Sequence, residues 1–161
     1  MAASPAPNLY HLHPGGVDDL DDVMRIMECA FSKHYGEGWS RSQCGGIMPM
    51  WGVSLMIARD PDGRMGGFSL ERVIMDESEL LLLAVAPSMQ RQGVGGLLLS
   101  NFIDEGRSLG LRMLHLEVRD GNPAIAMYRS AGFEQIGKRC DYYRGFDGAR
   151  YDAITMAINL D

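Results

Sequence analysis

The sequence has no excess of positive charge and no long apolar run, and each shortage excludes a class of protein. The formal net charge is -6 at pH 7, whereas nucleic-acid binding usually needs a basic face that neutralises phosphates. No stretch approaches the roughly 18 apolar residues of a membrane span. Residues 1–9 also have neither a basic nor an apolar region of the kind found in targeting segments. We therefore expect a cytoplasmic protein that binds neither nucleic acid nor membrane.

Cysteine is also scarce. The three cysteines, Cys29, Cys44 and Cys140, are far apart and form no C-x-x-C pair, so neither a disulfide framework nor a zinc site is indicated. We expect reduced, partly buried thiols. His11 and His13 could pair on a metal, but the sequence offers no further ligand beside them. No metal is predicted.

The remaining composition is typical of one folded domain. Of the 161 residues, 46% are hydrophobic and 22% are charged, and a chain of this length can bury a single core without cross-links. The Ala/Pro-rich start predicts a loose tail over residues 1–10, followed by one domain over residues 11–161. The sequence does not indicate an oligomeric state.

Apolar spacing and turn signals predict an α/β protein with a mixed sheet. Helices are expected to begin near residues 20, 40, 94 and 123, and strands are expected over 51–59, 65–74, 79–85, 111–118, 133–143 and 153–159. The apolar run at 79–85 suits a strand buried on both faces. A strand, a helix and a second strand follow in order over 79–118, which favours a right-handed crossover between parallel strands.

The junction between the strand ending at Val85 and the next helix is rich in glycine. Gly93, Gly95 and Gly96 let the backbone approach a ligand closely and adopt positive φ. Backbone N–H groups of the loop and of the first helical turn then point to one place, where the helix dipole also favours an anion. A phosphate or pyrophosphate is the expected ligand, although glycine-rich turns also occur for packing reasons alone.

Two other phosphate-binding motifs fit this junction less well. A nucleotide triphosphate loop ends in Gly-Lys-Ser/Thr, whereas Gly96 is followed by Leu97. A dinucleotide fingerprint needs glycine where Leu98 stands, although Glu117 lies at about the distance of its ribose-binding acid. The second motif is therefore disfavoured but stays open.

The same junction resembles motif A of the GNAT acetyltransferase superfamily. The match is Gln90-x-x-Gly93-x-Gly95 after a strand that ends in Ala84-Val85-Ala86-Pro87. Further motifs resemble the bacterial N-terminal alanine acetyltransferases of ribosomal protein S18, the RimI type. They are Leu116-Glu117-Val118-Arg119-x-x-Asn122, Tyr128-Arg129-x-x-Gly132-Phe133, Cys140-Asp141-Tyr142-Tyr143, Asp147-Gly148 and Asp152-Ala153-Ile154-x-Met156.

The resemblance covers roughly residues 20–160 and includes Ala30-Phe31 and Trp39-Ser40, although the loop between these pairs is longer than expected for that type. It implies the GNAT fold, a mixed central β-sheet flanked by helices on both faces. It also implies an N-acetyltransferase that moves an acetyl group from acetyl-CoA, as co-substrate, to a primary amine. The implied acceptor is the N-terminal α-amine of a protein such as a ribosomal protein.

The resemblance also implies which residues bind the cofactor. Backbone groups of the strand end, at Leu83, Ala84 and Val85, would meet the pantetheine and the thioester. The pyrophosphate would be held by Arg91, Gln92, Gly93, Val94, Gly95 and Gly96. Many family members have a basic residue where this chain has Gly96, so phosphate affinity would depend more on Arg91.

The implied catalytic residues are Glu117 as base and Tyr128 as acid, with Asn122 contacting the cofactor near the reacting end. An N-terminal amine has a pKa of about 7.7 to 8.0, so a base must remove a proton before it attacks. Coenzyme A leaves as a thiolate, which a phenol can protonate. Both residues also have a plain structural interpretation, as an exposed strand glutamate and a packed aromatic ring.

The acceptor is less constrained by the sequence. Trp39, Tyr142 and Tyr143 could frame an acceptor peptide, but aromatic packing accounts equally well for each. Two alternatives to protein acetylation stay open: a GNAT enzyme that acetylates a small-molecule amine, and a non-catalytic acyl-CoA-binding module. Binding alone requires neither Glu117 nor Tyr128.

Overall fold

The computed structural model describes residues 9–161, which form seven strands and four α-helices. Of the tail expected over residues 1–10, residues 1–8 lie outside the described residues. The strands are β1 (His11–Gly15), β2 (Val53–Arg59), β3 (Met65–Ile74), β4 (Glu77–Val85), β5 (Met113–Arg119), β6 (Glu134–Arg144) and β7 (Arg150–Asn159). The helices are α1 (Leu20–Ala30), α2 (Arg41–Ile47), α3 (Val94–Ser108) and α4 (Ala124–Ser130).

All seven strands belong to one mixed sheet. Their order is β1-β2-β3-β4-β5-β7-β6, and β4 and β5 are the parallel pair while the other neighbours are antiparallel. The expected mixed α/β architecture is therefore confirmed. Strand β1 was not predicted. It is a five-residue edge strand that contains Pro14, a residue tolerated at sheet edges but atypical of strands.

Helices cover both faces of the sheet and form two main apolar clusters. On one face α1 packs the side chains of Val23, Ile26 and Met27 against Phe68 and Leu70 of β3. On the other face α3 and α4 pack against β5 and β7, with large side chains from Phe102, Leu116, Tyr128, Phe133 and Met156. Each fully buried apolar side chain contributes about 1.5–3 kcal/mol to folding.

The central strands β4 and β5 are joined along only part of their length. Their ladder runs from Glu77 paired with Met113 to Leu80 paired with Leu116. Beyond that point β4 continues beside β3 as far as Val85, and β5 continues beside β7. The strands therefore separate, and a cleft opens in the middle of the sheet.

The expectation that the strand at 79–85 is buried on both faces is correct only in part. Leu80, Leu82 and Ala84 are buried, but the alternate side chains are only half-buried. Leu83 and Val85 belong to that second face and border the cleft. The apolar side chains of β4 therefore pack in the core, and the second half of the strand, residues 80–85, also borders the cleft.

The cysteines only partly match the expectation of partly buried thiols. All three are free, and Cys44 is buried under α1, but Cys29 and Cys140 are exposed. Cys29 lies on the outer face of α1, and Cys140 lies on β6, an edge strand whose side chains are mostly exposed.

Over residues 9–161 there is no group of three or more His, Cys, Asp or Glu side chains that could hold a metal ion. In the same range no helix is both long and apolar enough to cross a membrane.

Candidate active site

The cleft between β4 and β5 has a volume of about 590 Å³ and extends to the first turn of α3 and to α4. Most of the residues expected to bind the cofactor border it. They are Leu83, Ala84, Val85, Arg91, Gly93, Val94, Gly95, Gly96 and Asn122. Gln92 is the exception, because it turns away and its Oε1 accepts a hydrogen bond from the Tyr10 hydroxyl at 2.8 Å.

The loop before α3 has the geometry of an anion cradle. Gly93 precedes the helix with φ of +85°, and Arg91 also has a positive φ of +63°. A Cβ at Gly93 or Gly96 would meet nothing within 4 Å, so both backbones face open space. The first N–H groups of a helix have no intrahelical acceptor, and the helix dipole favours an anion there. These residues fit the pyrophosphate of a nucleotide-type cofactor.

The strand end beside the loop offers a second set of donors and acceptors. After Leu80, no strand within residues 9–161 pairs with β4 on the side facing β5. An extended polar ligand can hydrogen-bond to such an open edge in the way an added strand does. The pantetheine arm of coenzyme A, with its two amides, has this character.

Glu117 lies on β5 with its side chain 11% exposed at the edge of the cleft. Its Oε1 is 2.9 Å from Arg139 Nε on β6. Its Oε2 accepts a hydrogen bond of 2.7 Å from the hydroxyl of Thr155, its register partner on β7. The carboxylate is thus oriented by partners from two other strands.

Tyr128 projects from α4 into the same cleft and is 7% exposed. Its ring packs edge-on against Phe133, with 6.1 Å between the ring centroids. Burial, together with the negative charge of Glu37, raises the pKa of the Tyr128 phenol to about 12. The raised pKa keeps the hydroxyl protonated at neutral pH, and no residue in the described range accepts a hydrogen bond from it.

The three aromatic residues considered for the acceptor have different positions. Tyr143 borders the cleft, and burial, with a smaller effect of its neighbours, raises the pKa of its phenol. Tyr142 is half-exposed outside the cleft and stacks edge-on on Tyr143, with ring centroids 4.9 Å apart. Trp39 packs against the apolar cluster around α1 and does not border the cleft.

A carboxylate that was not predicted from the sequence also borders the cleft, and it comes from the loop between α1 and α2. Glu37, with its side chain 10% exposed, accepts hydrogen bonds through Oε1 from Arg119 Nε at 3.2 Å and from Asn122 Nδ2 at 2.8 Å. Asn122 also caps α4, since its Oδ1 accepts from the Ala124 N–H at 2.8 Å. The guanidinium of Arg119 lies 3.6 Å from the ring centroid of Tyr35 in the same loop.

Known proteins share both the sequence pattern and this architecture. The sequence matches the acetyltransferase (GNAT) family model over residues 20–133. The [ribosomal protein bS18]-alanine N-acetyltransferase of Escherichia coli (strain K12) is 46% identical over 100 residues, which are 62% of this chain and 67% of that protein. The mycothiol acetyltransferase of Clavibacter michiganensis subsp. michiganensis is 32% identical over 149 residues, which are 89% of this chain and 49% of that protein.

Solved structures agree with these sequence matches. The crystal structure of the ribosomal-protein-S18-alanine N-acetyltransferase from Escherichia coli superposes with a TM-score of 0.85 at 33% identity, covering 94% of each chain. Ard1 from Thermoplasma volcanium superposes with a TM-score of 0.81 at 25% identity, covering 95% of this chain and 99% of that one. The resemblance read from the motifs is thereby confirmed, and the chain belongs to the GNAT family of acetyl-CoA-dependent N-acetyltransferases.

Proposed function

We propose that this protein acetylates the N-terminal α-amine of a protein, such as a ribosomal protein, through a single domain spanning residues 11–161. The observation that carries the proposal is that Glu117 and Tyr128 border one cleft, which continues to the anion cradle before α3. The identity with an alanine N-acetyltransferase of ribosomal protein bS18 supports the choice of acceptor.

In the proposed complex, acetyl-CoA supplies an activated acetyl thioester. Arg91 and the N–H groups over residues 93–96 hold the pyrophosphate, and Arg91 is the main cation because Gly96 has no side chain. The open edge of β4 at residues 83–85 aligns the pantetheine. Asn122 stands near the reacting end, where its side chain already links α4 to Glu37.

The proposed proton transfers use the two residues that flank this end of the cleft. Glu117 removes a proton from the acceptor amine, directly or through one water, while the new C–N bond forms. A carboxylate has about four lone-pair sites, so Glu117 can accept this proton while Thr155 and Arg139 hold it. Tyr128 donates a proton to the sulfur as the C–S bond breaks, and a backbone N–H near Val85 stabilises the carbonyl oxygen.

The test supplies acetyl-CoA and short peptides that differ in their first residue, and measures free thiol release. We expect release with a peptide that begins with alanine. Glu117→Gln should lower kcat by roughly 100-fold or more with little change in acetyl-CoA affinity, because a positioned base contributes about 10²–10⁴ to a rate. Glu134→Gln, on the exposed side of β6, is the matched control and should retain full activity.

A small-molecule amine is the second candidate acceptor, because a mycothiol acetyltransferase is similar over 89% of this chain. The same assay with small primary amines separates the two acceptors. Turnover of small amines without turnover of any peptide would replace the proposed protein acceptor with a metabolite.

A further inference from the structure

Two carboxylates border the cleft, Glu117 and Glu37, and they differ in their hydrogen bonding. Glu117 has both oxygens engaged, Oε1 by Arg139 and Oε2 by Thr155. Glu37 is engaged through Oε1 alone, by Arg119 and Asn122. Within residues 9–161 no group donates a hydrogen bond to its Oε2.

A carboxylate oxygen without a protein donor beside a cleft can accept hydrogen bonds from solvent or from a molecule that enters the cleft. The Glu37 side chain is 90% buried and borders the cleft, so a molecule bound in the cleft can reach this oxygen. The α-ammonium of an acceptor carries three N–H donors and a positive charge. It therefore matches the unused oxygen in both hydrogen bonding and charge.

We propose that Glu37 is a specificity-determining residue that binds the amine of the acceptor and delivers it to Glu117. This inference rests on the proposed function and adds a docking group to it. Glu37 holds the ammonium before reaction, and Glu117 removes its proton for attack. The two carboxylates thus divide binding and proton removal between them.

The loop over residues 32–38, here called the Glu37 loop, is fixed firmly enough to act in this way. The Phe146 N–H donates to the Lys33 carbonyl at 3.1 Å, and the Tyr151 hydroxyl lies 3.1 Å from His34 Nε2. Gly36 packs so closely on the turn between β6 and β7 that a Cβ there would lie 1.9 Å from the Arg144 carbonyl oxygen. The loop is therefore attached to the hairpin that also carries Arg139 and Tyr143.

A purely structural role is the main alternative, because Glu37 also orients Arg119 and Asn122. Binding measurements on two protein forms and two peptides separate the structural role from amine binding, without relying on turnover. The wild-type protein and Glu37→Gln, each saturated with coenzyme A, are titrated with an alanine-initiated peptide and with the same peptide lacking its α-amine. The glutamine keeps the shape and an oxygen acceptor for Arg119 and Asn122, and removes the charge.

We expect Glu37→Gln to weaken binding of the amine peptide by about 10- to 100-fold, since a charge-assisted hydrogen bond contributes about 1.5–3 kcal/mol. Binding of the peptide without the amine should change less than about twofold by the same reasoning, because Glu37 has no partner there. In turnover, KM for the peptide should rise more than kcat falls, and KM for acetyl-CoA should not change. Glu28→Gln, on the exposed side of α1, is the control and should match the wild type.

Three other outcomes of the peptide titration would contradict the proposed role of Glu37. Equal weakening of both peptides, or a rise in KM for acetyl-CoA, would mean that Glu37 is structural. No weakening of either peptide would mean that the amine does not contact Glu37. If the wild-type protein binds neither peptide, the peptide acceptor is wrong, and the role of Glu37 as its docking group is wrong with it.

Discussion

Tyr128 shows how burial can make a weak acid useful. A phenol in water already has a pKa of about 10, and burial beside the Glu37 charge raises the Tyr128 pKa to about 12. The group is therefore fully protonated at neutral pH. Because coenzyme A departs with a developing negative charge on sulfur, a permanently protonated donor suits the proposed role.

Replacing Tyr128 with phenylalanine tests that role. The change keeps the ring packed on Phe133 and removes only the hydroxyl, so we expect kcat to fall by roughly 100-fold while the melting temperature and the KM for acetyl-CoA stay close to wild type. Steady-state kinetics and a thermal melt measure these quantities. An unchanged kcat would contradict the assignment of Tyr128 as the acid.

The pH dependence provides a second check on Tyr128. Activity should rise with pH as the acceptor amine, with a pKa of about 8, loses its proton. Tyr128 loses its own proton only near pH 12, so it should cause no decline between pH 8 and pH 10. A decline in this range that Tyr128→Phe abolishes would contradict a permanently protonated phenol.

Individual residues differ in how far the sequence could predict them. Glu117 and Tyr128 belong to motifs whose spacing is visible in the chain, and the structure brings both to one cleft. Glu37 lies 85 positions from its partner Asn122 in a polar loop without any repeating pattern. The unusual length of the loop was visible, but only the packed chain reveals where its carboxylate goes.

At the scale of elements, the Glu37 loop depends on the hairpin of β6 and β7. Gly36 has φ of +70°, which side-chain-bearing residues seldom adopt, and it faces the Arg144 carbonyl at close range. We expect Gly36→Ala to push the loop off the hairpin and so raise the KM for the acceptor severalfold, with acetyl-CoA affinity unchanged.

Gly46→Ala is the matched control for this change. A Cβ at Gly46, in α2, would meet nothing within 4 Å, and alanine stabilises a helix by about 0.5–1 kcal/mol relative to glycine. Kinetics and thermal melts of the two variants separate a displaced loop from a general loss of stability. Wild-type acceptor kinetics in Gly36→Ala would mean that the close packing does not position Glu37.

Most helices and strands could be predicted, because the spacing of apolar residues and the presence of turn-forming residues are local properties of the sequence. The apolar face of α1 and the strand-helix-strand order over β4, α3 and β5 follow directly from residue spacing. The short edge strand β1 was missed, since its ladder to β2 is specified by the partner and not by its own residues. The partial exposure of Leu81, Leu83 and Val85 was also missed, because apolar residues can line a cleft as well as a core.

Across the whole molecule, a buried carboxyl that does not border the cleft should influence stability. Glu71 on β3 is 4% exposed and accepts a hydrogen bond from the Ser69 hydroxyl at 3.0 Å. Burial, and then the nearby charge of Glu105 on α3, raise the pKa of Glu71 from 4.5 to about 7. The folded protein therefore binds a proton that the unfolded chain releases at lower pH.

Because the folded state binds this proton more tightly than the unfolded chain, the free energy of unfolding decreases as the pH rises. The contribution to stability is complete below about pH 4.5 and is lost as the pH rises through about 7. At about 1.4 kcal/mol per pKa unit, the loss over this range is on the order of 3 kcal/mol. Urea denaturation at pH 5 and pH 8 should reveal it, with Glu71→Gln more stable than wild type at pH 8 and similar at pH 5.

Glu134→Gln, an exposed carboxyl on β6, should show no such difference between the two pH values. A Glu71→Gln variant that is no more stable than wild type at pH 8 would mean that Glu71 is ionised in the native protein at little cost.

The partial pairing of β4 and β5 also affects how the molecule holds together. Within residues 9–161 the ladder from Glu77 to Leu80 is the only strand pairing between β1 to β4 and β5 to β7, although α3 packs on both groups. A co-substrate in the gap would contact both groups of strands and act as a removable cross-link. Backbone amides over 81–85 and 117–119 should then exchange hydrogen more slowly in its presence, and the melting temperature should increase with its concentration. Product release would accordingly loosen the centre of the sheet once in every catalytic cycle.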